Sequence, residues 1–397
     1  MFSRVNSKFS IALLLILSVF ACAATILDVK SQPASDRLVV HEWGTFTSVS
    51  TSDGQRQLWS PLTGPSDLPS FVYRSERQTQ FVKDNCVKCG WAYVRMETPV
   101  LYFYANTETK VSVNVDFPQG SITEWYPQAR EVNRGINWGS FTVRPAGKAS
   151  FPVENAKSHY YPARETDAAA IQLGSEYEKF LFYRGVGNFE LPIEARLAGD
   201  QVKVKNTGKE ELASIVLFEN RGGRIGWRVL NTLKGESALT RPALDQTIDS
   251  LPCDLEKILV AQGLYEKEAA AMVKTWGDSW FEEGLRVFYI VPRRQTDAIL
   301  PITITPKPAE LVRVLVGRVE IITPEMELAI QSSAKQFLAG TVESRTEAIK
   351  SLKPYGRFAE PVLRRMMEDA HRSGGAKASQ PYWDFMNASL IDLTSKR

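Results

Sequence analysis

Histidine and cysteine are scarce in this 397-residue chain, at three and four residues. So few imidazoles argue against a metal centre built mainly on histidine. The familiar catalytic signatures are missing too. There is no GxSxG nucleophile elbow, no HExxH zinc helix, no phosphate loop and no dinucleotide fingerprint. No cofactor is therefore expected. Charge of one sign is not in excess: 48 basic residues face 45 acidic ones for a net charge of +3. The charges are interspersed, which argues against nucleic acid as the partner. Beyond the N-terminus no apolar run is long enough to span a bilayer.

What is present is enough to build cores. Hydrophobic residues make up 44% of the chain and aromatics 10%, a composition that excludes global disorder and, at this length, suits two or three domains. Residues 1–23 read as a signal peptide, with Arg4 and Lys8 ahead of the apolar run Ile11–Phe20. Two processing routes stay open. Ala21-Cys22-Ala23-Ala24 suits ordinary cleavage, whereas Val19-Phe20-Ala21-Cys22 is like a lipoprotein box whose Cys22 would carry the only membrane anchor. Either route predicts an exported protein of the periplasm or outer envelope. Cys86-Val87-Lys88-Cys89 has the spacing of a disulfide loop or a redox dithiol. No second CxxC completes a zinc site, and Cys253 would stand outside the pair.

The first strong strand is Arg37–Ser50. Alternation places Val39, His41, Trp43, Thr45, Thr47 and Val49 on one face and Leu38, Val40, Glu42, Gly44, Phe46 and Ser48 on the other. Glu42 thus falls in line with residues that belong in a core. A buried carboxylate needs a cation or a proton. Structural pairing with an arginine and a catalytic role are both open readings.

Trp91–Ala105 follows as a strand in which Pro99 implies an edge, a bulge or a break. Lys110–Phe117 alternates cleanly. In Ser121–Tyr126, period two puts Ile122, Glu124 and Tyr126 together, making Glu124 a second inward carboxylate with Arg95 as its nearest partner. Gln201–Lys205 and Leu212–Glu219 look like a hairpin turned at Asn206-Thr207-Gly208, and Arg221-Gly222-Gly223-Arg224 is another turn. The pattern then changes to two helices, Cys253–Gln262 and Tyr265–Trp276, before strands resume at Leu285–Val291, Ala298–Thr305 and Leu311–Ile322. Thr323 and Pro324 open a C-terminal run of short helices.

The expected fold is mainly β with α. It has an antiparallel β-sandwich-like core over 36–235, a helical insertion with rejoining strands over 236–323, and a C-terminal bundle of short helices over 324–397.

Four blocks, HEWGTFTSV (41–49), METPVLYFY (96–104), ITEWYP (122–127) and SWFEEGLRVFYIVPR (279–293), resemble a group of exported bacterial proteins. The resemblance implies an exported, folded whole and carries no activity, substrate or catalytic residue.

On the residues themselves, the leading functional expectation is a noncatalytic envelope protein that binds a glycan, peptide or protein partner. Its candidate contacts are His41, Trp43, Trp125, Tyr126 and Trp138. The alternative is a glycosidase-like hydrolase using Glu42 and Glu124, with Arg95 or His41 setting their protonation. A thiol role for Cys86 and Cys89 is the third.

Overall fold

The computed structural model describes residues 37–59, 68–75, 92–145, 149–154, 158–248 and 250–394. The export segment 1–23 with Cys22, and the pair Cys86 and Cys89, lie outside the described residues.

The main strands are β1 (Val39–Thr51), β2 (Tyr73–Arg74), β3 (Val94–Tyr104), β4 (Gly120–Tyr126), β5 (Phe180–Gly187), β6 (Ile193–Ala198), β7 (Gln201–Asn206), β8 (Leu212–Arg221), β9 (Arg224–Leu233), β10 (Glu236–Thr240), β11 (Gly284–Ile290) and β12 (Glu310–Ile322). The large sheet runs β9-β8-β11-β12-β1-β3-β5-β4-β2, with Arg56–Gln57 paired beside β1. β1 and β12 are parallel, from Val39 opposite Glu310 to Thr51 opposite Ile322. The other pairs are antiparallel. A second sheet centres on Gly135–Arg144 and Thr109–Asp116, and a third is β6-β7-β10.

Alternation along β1 sorts its residues as expected. Leu38, Val40 and Phe46 enter one core with Leu101, Leu181 and Leu315, closed by Val113, Phe141 and Val204 of the smaller sheets. This is the sandwich, and the fold is mainly β with helices as predicted. Trp43 lies on the opposite face with Val100, Tyr102, Phe182, Phe288 and Val314. That face is covered by α1 (Leu251–Ala261) and α2 (Glu266–Trp280), through Leu255, Leu259, Met272 and Trp276.

Val49, Trp59 and Ile322 anchor a third core under the C-terminal helices. A short α3 (Arg293–Ile299) precedes them, occupying the start of what alternation assigns to a strand. α4 (Pro324–Ala339) starts as expected, with Thr323 Oγ1 accepting from Met326 N–H at 3.2 Å. α5 (Val342–Ser351) and a 3-10 segment (Lys353–Ala359) follow. The last, α6 (Glu360–Thr394), is broken at Gly375 into two shorter helices.

The expected hairpin between Gln201–Lys205 and Leu212–Glu219 does not form. β7 pairs with β6 and β10, whereas β8 pairs with β9 and β11 in another sheet. The turn at Asn206 is real, with Asn206 Oδ1 accepting from Gly208 N–H at 2.8 Å. Its amide also donates to Glu210 O and Leu233 O, and the chain leaves for the other sheet.

Pro99 sits in the middle of the large sheet, where β3 bulges. Trp43 faces Val100 and Thr45 faces Glu97, so Thr98 and Pro99 together lie opposite Gly44. Thr98 takes a left-handed φ of 45°. Gly44 permits the approach, since a Cβ there would lie 3.0 Å from the Pro99 backbone and from Leu315.

Candidate functional site

Glu42 is fully buried and has the cation that its position requires. Arg313, on the adjacent strand β12, donates to Glu42 Oε2 from Nε, and Tyr183 O–H donates to Oε1 at 2.5 Å. Arg313 also reaches Asp297 Oδ1 at 2.8 Å and Leu300 O at 2.7 Å. Burial works against the Arg313 charge, but Glu42 and Tyr183 hold its pKa above the usual guanidinium value. Burial, then the Glu42 charge, pushes the Tyr183 phenol well up. Glu42 and the Arg313 side chain are sealed inside the sandwich, while Asp297 is half-exposed.

Glu124 is on the other face. A register shift in β4 opposite Arg184 and Gly185 inserts Thr123. Ile122 therefore enters the sandwich core while Tyr126 enters the helix-covered one. Period two across this bulge does not hold, and Glu42 and Glu124 cannot line one cleft. Arg95 pairs with Glu97 at 3.4 Å, and Glu124 is a further charge acting on it. Arg184, opposite Glu124, donates from Nε and Nη2 to Thr98 Oγ1 at 3.3 and 3.2 Å and stands over the Trp276 ring. It thus supports the strained Thr98 backbone, a conformation costing about 1–3 kcal/mol.

These groups belong to a charged seam across the helix-covered face. Glu97 accepts from Thr47 O–H at 2.6 Å and pairs with Arg357, from the segment before α6. Farther along, Glu320 accepts from Arg286 Nε at 2.8 Å and Arg318 Nη2 at 3.0 Å, and Arg318 also meets Glu282 at 2.9 Å. Burial opposes ionisation of Glu97, yet Arg357 and Arg95 overcome it and hold its pKa down at about 2. Part of the seam was readable in advance. In LVRVLVGRVEII, alternation puts Arg318 and Glu320 on the face of Val314 and Arg313 on the other. Arg318 and Glu320 also pair with each other, but Arg286, Glu282 and Glu42 come from distant segments and carry no local signal.

His41 is also fully buried. Its Nδ1 lies 2.7 Å from Glu268 Oε2, while Tyr104 O–H donates to Glu268 Oε1 at 2.8 Å. Tyr265 N–H donates to the same carboxylate at 2.8 Å, so this contact ties the start of α2 to β1. Trp43, Tyr126 and Trp138 are buried as well, Trp138 donating from Nε1 to Pro127 O at 3.2 Å. These four contact candidates offer no ring face to a ligand in this fold, because large aromatics fill its cores.

Trp125 is different. It is half-buried at the β2 end of the large sheet, stacked on Tyr73 at 6.2 Å and 18°. Phe71 meets Tyr126 edge-on at 4.9 Å. Phe71, Phe151, Tyr160 and Tyr161 surround the Arg164 guanidinium, which is held to Glu178 by two hydrogen bonds of 2.9 and 2.6 Å. Two half-buried carboxylates border the rings. Glu176 accepts from Tyr73 O–H at 2.9 Å and Gln128 N–H at 2.7 Å, and Glu154 accepts from Ser70 N–H at 2.9 Å. Tyr161 closes the group by accepting from Glu154 N–H at 2.9 Å. Of these rings, only Trp125 and Tyr126 were among the expected contacts, and Tyr160 and Tyr161 were readable only as part of an aromatic, loop-rich stretch. Tyr73 comes from the two-residue β2, Tyr161 from a single 3-10 turn and Phe71 and Phe151 from irregular segments, none long enough to show a period.

Among the described residues, no three His, Cys, Asp or Glu side chains gather as a metal ion would need. No protein-family model and no curated protein matches the chain. Among solved structures it is similar to the yeast delta-COP-I mu-homology domain, at 8% identity and a TM-score of 0.29. That match covers 73% of this chain and 98% of that one. The same yeast domain complexed with a Dsl1 WxWxV peptide gives 8% and 0.28, covering 73% and 97%. Scores this low carry no argument about function.

Proposed function

We propose that this chain is an exported, noncatalytic recognition protein of the bacterial envelope, and that the aromatic end of its large sheet docks a glycan. The observation that carries this reading is the grouping of half-buried Phe71, Tyr73, Trp125, Phe151 and Tyr161 beside Glu154 and Glu176. Ring faces stack against the C–H faces of sugars, and carboxylate oxygens accept from sugar hydroxyls. Recognition without turnover is favoured because Glu42 and Glu124 do not converge and Glu42 is shut away from water.

The test is co-sedimentation with purified peptidoglycan. Trp125→Ala and Tyr73→Ala should each weaken binding about tenfold, the equivalent of about 1.4 kcal/mol, with muropeptides recovered unchanged. Pelleting of both variants at the wild-type level would exclude this face. Shortened glycan products would exclude the noncatalytic reading.

A further inference from the structure

The three-stranded sheet ends in a strand whose outer side is unpaired. β7 and β10 are antiparallel, with Val204 opposite Ser237, Lys203 opposite Ala238 and Val202 opposite Leu239. Asn206 N–H donates to Gly235 O at 2.7 Å and Arg241 N–H to Asp200 O at 2.8 Å, which sets the phase of the ladder. In that phase Ser237 and Leu239 turn their backbone groups toward β7, and Glu236, Ala238 and Thr240 turn theirs outward. The same three residues are exposed, whereas Ser237 and Leu239 are half-buried. Among the described residues, none hydrogen-bonds to this outward row of N–H and C=O groups.

We propose that the outer edge of β10 receives an extended peptide segment that adds a strand to this sheet, with an acidic side chain at its centre. Alternating N–H and C=O groups along a straight edge match only another extended backbone. The solvent face sets the charge. Glu236 lies opposite Lys205, which lies opposite Glu194, so that row mixes signs. The central row is cationic: Ala238 lies opposite Lys203, and Lys203 opposite Arg196. Arg196 is paired with Glu236 at 3.7 Å, whereas Lys203 is in no ion pair among the described residues. In that row only Ala238, which carries no more than a methyl, lies between Lys203 and a strand added at the edge. A carboxylate in the middle of the incoming strand falls within its reach, and a lysine there would meet like charge. This surface is independent of the aromatic end.

The probe is a fluorescein-labelled heptapeptide of alternating Thr and Val with a central Glu. It is measured by anisotropy beside its central-Lys analogue and a copy N-methylated at alternate amides. The Glu peptide should bind, the Lys analogue at least about tenfold more weakly, and the N-methylated copy not at all. Ala238→Pro removes an outward N–H that serves no internal bond, so the variant should keep its circular dichroism and lose the peptide while still pelleting with peptidoglycan. Lys203→Glu should reverse the preference between the two peptides. Equal binding of all three peptides, or unchanged binding by Ala238→Pro, would overturn the proposal. So would a concentration-dependent dimer abolished by Ala238→Pro, which would make a second copy the occupant.

Discussion

Glu42 shows how far one residue can be read in isolation. Its place among Leu38, Val40 and Phe46 demanded a partner, and the partner is there. That the partner is Arg313, 271 positions away, is set by the parallel pairing of β1 with β12, which nothing near Glu42 encodes. Removing one member strands a charge in the core, so Arg313→Ala should cost about 3–5 kcal/mol in urea unfolding. The double replacement of Glu42 and Arg313 by Leu should cost much less, because neither charge is then left behind.

Glu97 makes the opposite kind of statement, through pH. Its folded pKa near 2 lies below the ordinary value of about 4.3. A lowered carboxylate contributes stability above its unfolded pKa and loses it as pH falls through the folded one. The protein should therefore weaken between about pH 5 and pH 2. Glu97→Gln should be less stable than wild type at pH 7 by an amount on the order of 3 kcal/mol, with the gap narrowing by pH 3. Urea midpoints at pH 7, 5 and 3 decide this; a constant gap would assign the acid loss elsewhere.

At the scale of elements, the strands announced themselves where alternation was clean, and misled where a turn or bulge intervened. Thr123 shows the cost of one extra residue: it sends Ile122 and Glu124 to opposite faces, which period-two reading cannot foresee. Asn206-Thr207-Gly208 does form its local turn, but the strand that follows pairs with β9 and β11 rather than folding back on β7. Gly44 was legible as a glycine and not as a contact. It faces Pro99 across β1 and β3 with no room for a branched side chain. Gly44→Val should destabilise by about 1–3 kcal/mol or more by overpacking, while Gly174→Ala, at a turn with open space around it, should act only through its positive φ of 60°. Thermal unfolding of the two variants side by side separates crowding from backbone strain.

For the whole molecule, the helix-covered face is divided by its charged seam. α1 and α2 sit on one apolar core and α4 to α6 on another, and Arg357 bridges from the second group to Glu97 on β3. Arg357→Ala should loosen the C-terminal helices more than the sheet. Hydrogen exchange should quicken over residues 324–394 while β1 and β12 stay protected. Equal quickening throughout would mean that the seam supports the sheet itself.

The parallel pairing of β1 with β12 also dictates a timetable. β1 comes first among the described strands, yet its neighbour on one side begins only at residue 310. Until then one backbone edge of β1 has no permanent partner. Closure at such sequence separation is slow. Refolding from urea should therefore be limited by the docking of β12 on β1.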